Sequence, residues 1–175
     1  MTSDHEGTTT VREAPADYLE FAVARSGPLF RTACLLTGDW HLAEDLVQET
    51  LAKMYRSWRR VSRAGSPVAY ADTVLVRTYI SQRRRRSSTE RPSDRLPDAA
   101  GPAPDAELRM ALLDGLARLT TRDRAVLVLR YWEDRSVEET SQVLKLSPGA
   151  VRARSMRALQ RLRALLGAEL ADLTA

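Results

Sequence analysis

Residues Arg135–Leu166, RSVEETSQVLKLSPGAVRARSMRALQRLRALL, decide the fold of this chain. They predict a short helix, a tight turn and a longer second helix. Ser136 is placed to cap the first helix. Glu139, three residues on, completes a capping box in which hydroxyl and carboxylate each accept from the other's backbone amide. Leu144-Lys145-Leu146 ends that helix. Ser147 then caps the next, with Pro148 at its first position, where the missing N–H has no partner to lose and the fixed φ suits a helix. Two helices joined by about four residues form a helix-turn-helix, whose second helix fits the DNA major groove.

On a wheel of about 100° per residue, Val151, Ala158, Leu159, Leu162 and Leu166 gather on one side of that second helix. Arg154, Arg157 and Arg161 fall within about 60° of one another on the opposite side, with Arg152 and Arg163 at one border. Between Ala150 and Leu166 stand five arginines and no acidic residue. A solvated helix face usually mixes both signs, so this pattern favours a polyanionic partner over an exposed face that binds nothing.

Composition bounds the rest. The 175 residues suffice for one domain or two small ones, with the charged and apolar fractions of a globular chain. Net charge is only +4, and of 27 basic residues only Lys53 and Lys145 are lysine. Arginine's planar fork suits phosphates and guanine edges, although an Arg- and Ala-rich composition also follows from a GC-rich genome. A single cysteine, Cys34, permits neither an intrachain disulfide nor a thiolate cluster, and its apolar helical setting predicts a buried thiol. Met1–Asp17 lacks the apolar core of a signal peptide, and no run reaches membrane-spanning length. A cytoplasmic, reduced protein is expected.

Along the chain, residues 1–16 read as a tail. Helical patterning begins at Asp17, with Gly27-Pro28 expected to break or kink it, and Asp39 to cap the next helix. That helix, Trp40 to about Arg60, has a broad apolar face of Leu42, Leu46, Val47, Thr50, Leu51, Met54 and Trp58. Asp45, Gln48, Glu49 and Arg56 lie across from it. A loop at Arg63–Pro67 leads to a helix carrying Tyr70, Val74, Leu75, Tyr79 and Ile80, which ends in Arg83–Arg86. These segments predict a four-helix bundle with its own core. Ser87–Pro104, with four prolines, reads as a flexible linker. Beyond it, Leu108, Ala111, Leu112, Leu116 and Leu119 suit one amphipathic helix, and Thr120 or Thr121 caps another whose Ala125–Leu129 should be buried. The expected fold is all-α: two small helical domains, 17–86 and 105–175, joined by a linker at 87–104.

Catalytic patterns are missing. His5 and His41 have no ligand-spaced partner, and there is no phosphate-binding glycine loop or nucleophile elbow. Asp45 with Glu49 reads as an interaction surface rather than an acid pair. No enzyme, metal or cofactor is expected.

The order of these parts resembles the group 4, or extracytoplasmic-function, sigma factors of bacterial RNA polymerase, in particular a SigE-like actinobacterial branch. Leu35-Leu36-Thr37-Gly38-Asp39 with Ala43–Thr50 is similar to sigma region 2.2. Asp123–Leu127, Ser136–Glu139 and Ser147–Arg154 are similar to region 4. The resemblance spans about Asp17 to Leu170. It implies an all-α fold and a sigma factor that binds core RNA polymerase and promoter DNA. It also implies that Asp45, Gln48 and Glu49 dock on the polymerase clamp. Arg77, Tyr79, Arg84 and Arg85 then serve at the minus-ten element, where unstacked bases need aromatic pockets and backbone cations. Tyr79 fits a core position equally well. At the minus-thirty-five element, Arg154 and Arg157 would reach base edges or the adjacent backbone, Arg152 and Arg161 phosphates, and Ser155 completes the contact set. The chain departs from the family pattern at Arg77, commonly Asn, at Ala150, usually Thr, and at Arg152, usually Lys. Such factors are often held by an anti-sigma protein, for which no motif stands in this sequence.

Two other readings compete. A helix-turn-helix regulator with an N-terminal sensing or dimerisation domain would have no need of the polar stripe at Asp45. A purely protein-binding helical adaptor would have no need of an acid-free arginine helix.

Overall fold

The computed structural model describes residues 15–86 and 104–173. The N-terminal tail through residue 14 and all of the proposed linker except Pro104 lie outside them. Every regular element among the described residues is helical.

Helix α1, Ala16–Thr37, runs unbroken through Pro28, which corrects the expected break at Gly27-Pro28. Proline here removes only the amide that would have bonded Ala24, and Ala24 is exposed, so water can serve its carbonyl. The helix stops at Gly38, whose φ of 69° is left-handed and lets its N–H bond to the Cys34 carbonyl. Asp39 then caps α2, Trp40–Val61, its carboxylate accepting from the Leu42 amide at 2.8 Å. Helix α3 is Pro67–Arg86. The first half is therefore three long helices, not four. An aromatic knot of Tyr18, Phe21, Tyr55 and Trp58 fastens α1 to α2, with the Trp58 indole donating to Asp17 at 2.9 Å. Cys34 is buried, which raises its thiol pKa.

The second half comprises α4 (Pro104–Ala117), α5 (Thr121–Leu127), a π-helical turn (Val128–Trp132), α6 (Val137–Leu144) and α7 (Pro148–Leu173). Thr120 is the cap of α5. On α4, Leu116 is buried and Gly115 meets α7 so closely that a Cβ there would lie 2.8 Å from Leu162 Cδ1. Leu108, expected on the same apolar face, is 53% exposed because the seam with α7 is confined to the last turns of α4.

Two apolar clusters form. The smaller joins Leu116, Leu119 and Leu127 to Ala158 and Leu162 of α7. The larger is shared between the halves: Ala125, Val126, Val128 and Leu129 pack with Leu29, Leu36, Leu46, Leu75 and Val76. The Ala125–Leu129 run is buried as its composition predicts because α5 has covered sides, with Leu127 turned to α7 and its neighbours to the first three helices. Among the described residues no helix is long and apolar enough to cross a membrane.

Candidate nucleic-acid interface

The helix-turn-helix forms as its sequence dictates. Ser136 accepts from the Glu139 amide at 3.0 Å, and the Glu139 carboxylate accepts from the Ser136 amide at 2.8 Å. The Ser136 amide is the main cause holding the Glu139 carboxyl below the usual value. Lys145 turns the chain in a left-handed conformation, φ 53°. Ser147 then accepts from the Ala150 amide at 3.2 Å to start α7. Val151, Ala158 and Leu162 face inward, while Arg152, Arg157, Arg161 and Arg163 are exposed.

Two details depart from the expected contact surface. Ser155 is 6% exposed and its hydroxyl has no partner among the described residues, so it belongs to the inward side between Val151 and Ala158 rather than to the contact set. The absence of acids from residues 150–166 is also a property of that stretch of helix, not of the surface. Asp123 of α5 pairs with Arg154 at 2.8 Å, and Glu138 of α6 pairs with Arg152 at 3.3 Å. Among the described residues, Arg157 and Arg161 have no ion-pair partner.

On α2, Asp45 and Gln48 point outward. Glu49 is held down: Lys53 contacts it at 2.7 Å and Gln82 donates to it at 2.7 Å, with Arg85 at 3.9 Å. Lys53 above all, then Gln82, keeps its carboxyl below the usual value. Arg84 and Arg85 stand exposed at the end of α3 beside this group.

Tyr79 does not face solvent, and Arg77, though exposed, is engaged by the second half. Arg77 donates from Nε to the Val143 carbonyl and from Nη2 to the Gln142 carbonyl, both at 3.0 Å. Those carbonyls lie in the last turn of α6, where a helix leaves its acceptors unsatisfied. Tyr79 is 2% exposed, and burial raises its pKa; Thr121 and Arg124 hydrogen-bond its hydroxyl.

Sequence reasoning missed the polar contacts between the halves. Arg124 is 4% exposed; its Nε donates to the Leu35 carbonyl at 2.6 Å, at the negative end of the α1 dipole. Gly38 makes room for it, since a Cβ there would sit 3.1 Å from Arg124 Nη2. Asp72, buried on α3, takes Arg25 at 2.8 Å and Arg135 at 2.9 Å. Thr32 donates to Glu133, and the Trp132 indole donates to Thr32. The available signal was charge inside an apolar stripe: Asp72 stands with Leu75, Val76 and Tyr79, and Arg124 opens the buried run Ala125–Leu129.

Residues 23–89 match the family model of sigma-70 region 2, and residues 115–164 that of sigma-70 region 4. The RNA polymerase sigma-E factor of Streptomyces coelicolor is 36% identical over 151 residues, which is 84% of each chain. The ECF RNA polymerase sigma factor ShbA of Streptomyces griseus is 35% identical over 71% of this chain and 72% of its own. SigL of Mycobacterium tuberculosis is 32% identical over 79% and 82% respectively. Among solved structures, the sigma factor RpoE in its co-crystal with the anti-sigma factor NepR from Bartonella quintana has the same fold. It superposes with a TM-score of 0.70 at 23% identity, over 86% of this chain and 97% of that one. CnrH, solved with the cytosolic domain of CnrY, gives 0.60 at 23% identity over 86% and 88%.

Proposed function

This chain belongs to the extracytoplasmic-function (ECF) sigma factors of RNA polymerase, and on that footing we propose how its surfaces divide the work of promoter recognition. Region 4, residues 105–175, reads the minus-thirty-five element with α7. Region 2, residues 17–86, docks on core polymerase and engages the minus-ten element. Residues 87–104 tether the two. The chain carries out no chemistry of its own and acts in the cytoplasm, where the polymerase works.

The observation that carries this reading is the outward face of α7. Arg157 and Arg161 project from a helix whose opposite side is packed, with Arg152 and Arg154 flanking them. Unpaired exposed guanidiniums on a capped second helix supply both phosphate grip and bidentate base contact. Arg154, oriented by Asp123, and Arg157 serve as base readers; Arg152 and Arg161 serve as phosphate contacts. Asp45 and Gln48 form the outward part of the polymerase-docking stripe, and Glu49 braces it against α3. At the minus-ten element, Arg84, Arg85 and the exposed Arg77 meet the strand backbone, and Tyr79, buried in the free chain, joins them once uncovered. An anti-sigma protein, the kind of partner present in the RpoE co-crystal, is a further expected ligand.

The test is reconstitution: purified chain added to core polymerase on a linear promoter. Specific initiation is expected. Tight dimeric binding to DNA without polymerase, and no initiation, would leave only the regulator reading. Asp45→Ala with Glu49→Ala should weaken core binding.

A further inference from the structure

The outer face of α2 changes sign along its length. At about 100° per residue, Gln48, Arg56, Arg59 and Arg60 all lie within about 60° of Asp45, and all five side chains are exposed. Arg63 is exposed in the turn that follows the helix. From Thr50 to Ala71 the chain has five basic residues and no acidic one. Lys53 pairs with Glu49 at 2.7 Å. Among the described residues, Arg56, Arg59 and Arg63 have no ion-pair partner. Arg60 donates to the Tyr70 hydroxyl of α3 at 3.4 Å.

We propose that the arginine half of α2 is a separate grip on the phosphate backbone of promoter DNA, built on the same helix face as the polymerase-docking stripe. The inference rests on the sigma reading. Like charges three and four residues apart oppose helix formation, so Arg56, Arg59 and Arg60 burden the free chain until a polyanion neutralises them. A partner surface that complements Asp45 is positive, and continued along α2 it would repel these arginines. They stand about 17–21 Å further along the axis, at about 1.5 Å per residue, far enough to meet a different partner.

Spacing and chemistry favour a nucleic-acid backbone. Arg56 to Arg60 rises about 6 Å along α2, and a DNA strand carries a phosphate every 3.4 Å or so of its axis, so this span faces about two phosphates. Guanidinium forks match phosphate oxygens in pairs. Through Arg60 and Tyr70 the stripe also joins α3, the helix that ends in Arg83–Arg86 and bears the other residues assigned to the minus-ten element. The backbone it holds belongs either to duplex or to a displaced single strand, and the two differ in how their affinity answers salt.

The test is Arg56→Ala with Arg59→Ala in the full chain, two exposed side chains whose removal breaks no ion pair among the described residues. Affinity for core polymerase should equal the parent's. Holoenzyme is then titrated with potassium chloride on a duplex promoter and on a single-stranded oligonucleotide carrying the minus-ten element. A duplex contact should lower the salt slope by about 1.8, and a single-strand contact by about 1.4. Between about 50 and 200 mM salt, the variant's affinity should fall about 12-fold or about 7-fold less than the parent's, respectively. Arg56→Lys with Arg59→Lys, which keeps the charge, should restore the parent's slope. An unchanged slope on both DNAs overturns the proposal, as does a slope that lysine fails to restore. Weakened core binding overturns it too, by giving the arginines to the polymerase interface. If no form binds core polymerase, the sigma reading falls, and the same titration of the chain alone on duplex DNA still decides whether these arginines hold a backbone.

Discussion

Arg154 and Arg161 lie on the same helix and differ in what holds them, so removing each should change promoter binding in a different way. Arg161 is exposed and has no ion-pair partner among the described residues. In the proposed role it displaces one counterion from DNA, so Arg161→Ala should lower the salt slope of binding by about 0.9. Between about 50 and 200 mM salt, a fourfold change, that makes the variant's affinity fall about 3.5-fold less than the parent's. Base preference should stay the same. Arg154 is already neutralised by Asp123 at 2.8 Å, with its guanidinium aimed by that pair. It therefore releases less than a full counterion, and Arg154→Ala should move the slope by clearly less than 0.9. Its larger effect should be on sequence: about 1–3 kcal/mol of discrimination lost at one base pair of the minus-thirty-five element. Fluorescence anisotropy of holoenzyme on promoter duplexes, titrated across potassium chloride and across single base-pair substitutions, measures both quantities. Equal slope changes, with neither variant altering preference, would refute the division into reader and grip.

Three further outcomes are expected. Ser136→Ala removes a capping box and should cost about 1 kcal/mol, a fall of about 2–4 °C in Tm by calorimetry for a chain of this size; an unchanged Tm would mean that α6 is held by packing alone. Leu129→Ala opens a fully buried site in the core shared by both halves and should cost about 2–5 kcal/mol by urea unfolding; a smaller loss would indicate that the halves part before they unfold. Glu49 has its carboxyl pKa lowered, chiefly by Lys53, so its contribution to stability is present above the unfolded value and lost as pH falls through the folded one. Glu49→Gln should therefore flatten the acid limb of the stability–pH curve below about pH 5, and an unaltered acid limb would show that the network contributes nothing.

What was legible in the sequence was mostly local. Caps at Asp39, Ser136 and Ser147 require only a side-chain oxygen and a nearby amide, so spacing alone identifies them, whereas the α5 cap stayed open between Thr120 and Thr121 until the structure gave Thr120. The 3.6-residue pattern of α2 likewise marks its buried face, because a long amphipathic helix has one way to bury it. Where local rules compete with long helices, they mislead. Pro28 would break an isolated helix, yet here packing on both sides of it carries α1 through. Ser155 sits in an arginine-rich run, but its own angular position turns it inward. The acids that neutralise Arg152 and Arg154 come from α6 and α5, so no inspection of α7 alone could find them. The shared core was likewise hidden, since Val126 and Leu129 look the same whether they bury against their own half or the other.

Arg77 shows why the sequence-derived role and the observed contact belong to one account rather than competing. Its Nε and Nη2 donate to the Val143 and Gln142 carbonyls, yet the side chain is exposed and a guanidinium has five N–H donors, so the others stay open to a phosphate. The family resemblance assigns it to the minus-ten strand, and the structure gives its contact with α6. Tyr79 differs, being buried in the shared core with Arg124 and Thr121 on its hydroxyl. Arg77→Asn, which restores the common family residue, should lose the α6 carbonyls and leave α3 folded. Each lost bond should cost about 0.5–1.5 kcal/mol by urea unfolding, and an unchanged stability would mean that water serves those carbonyls equally well.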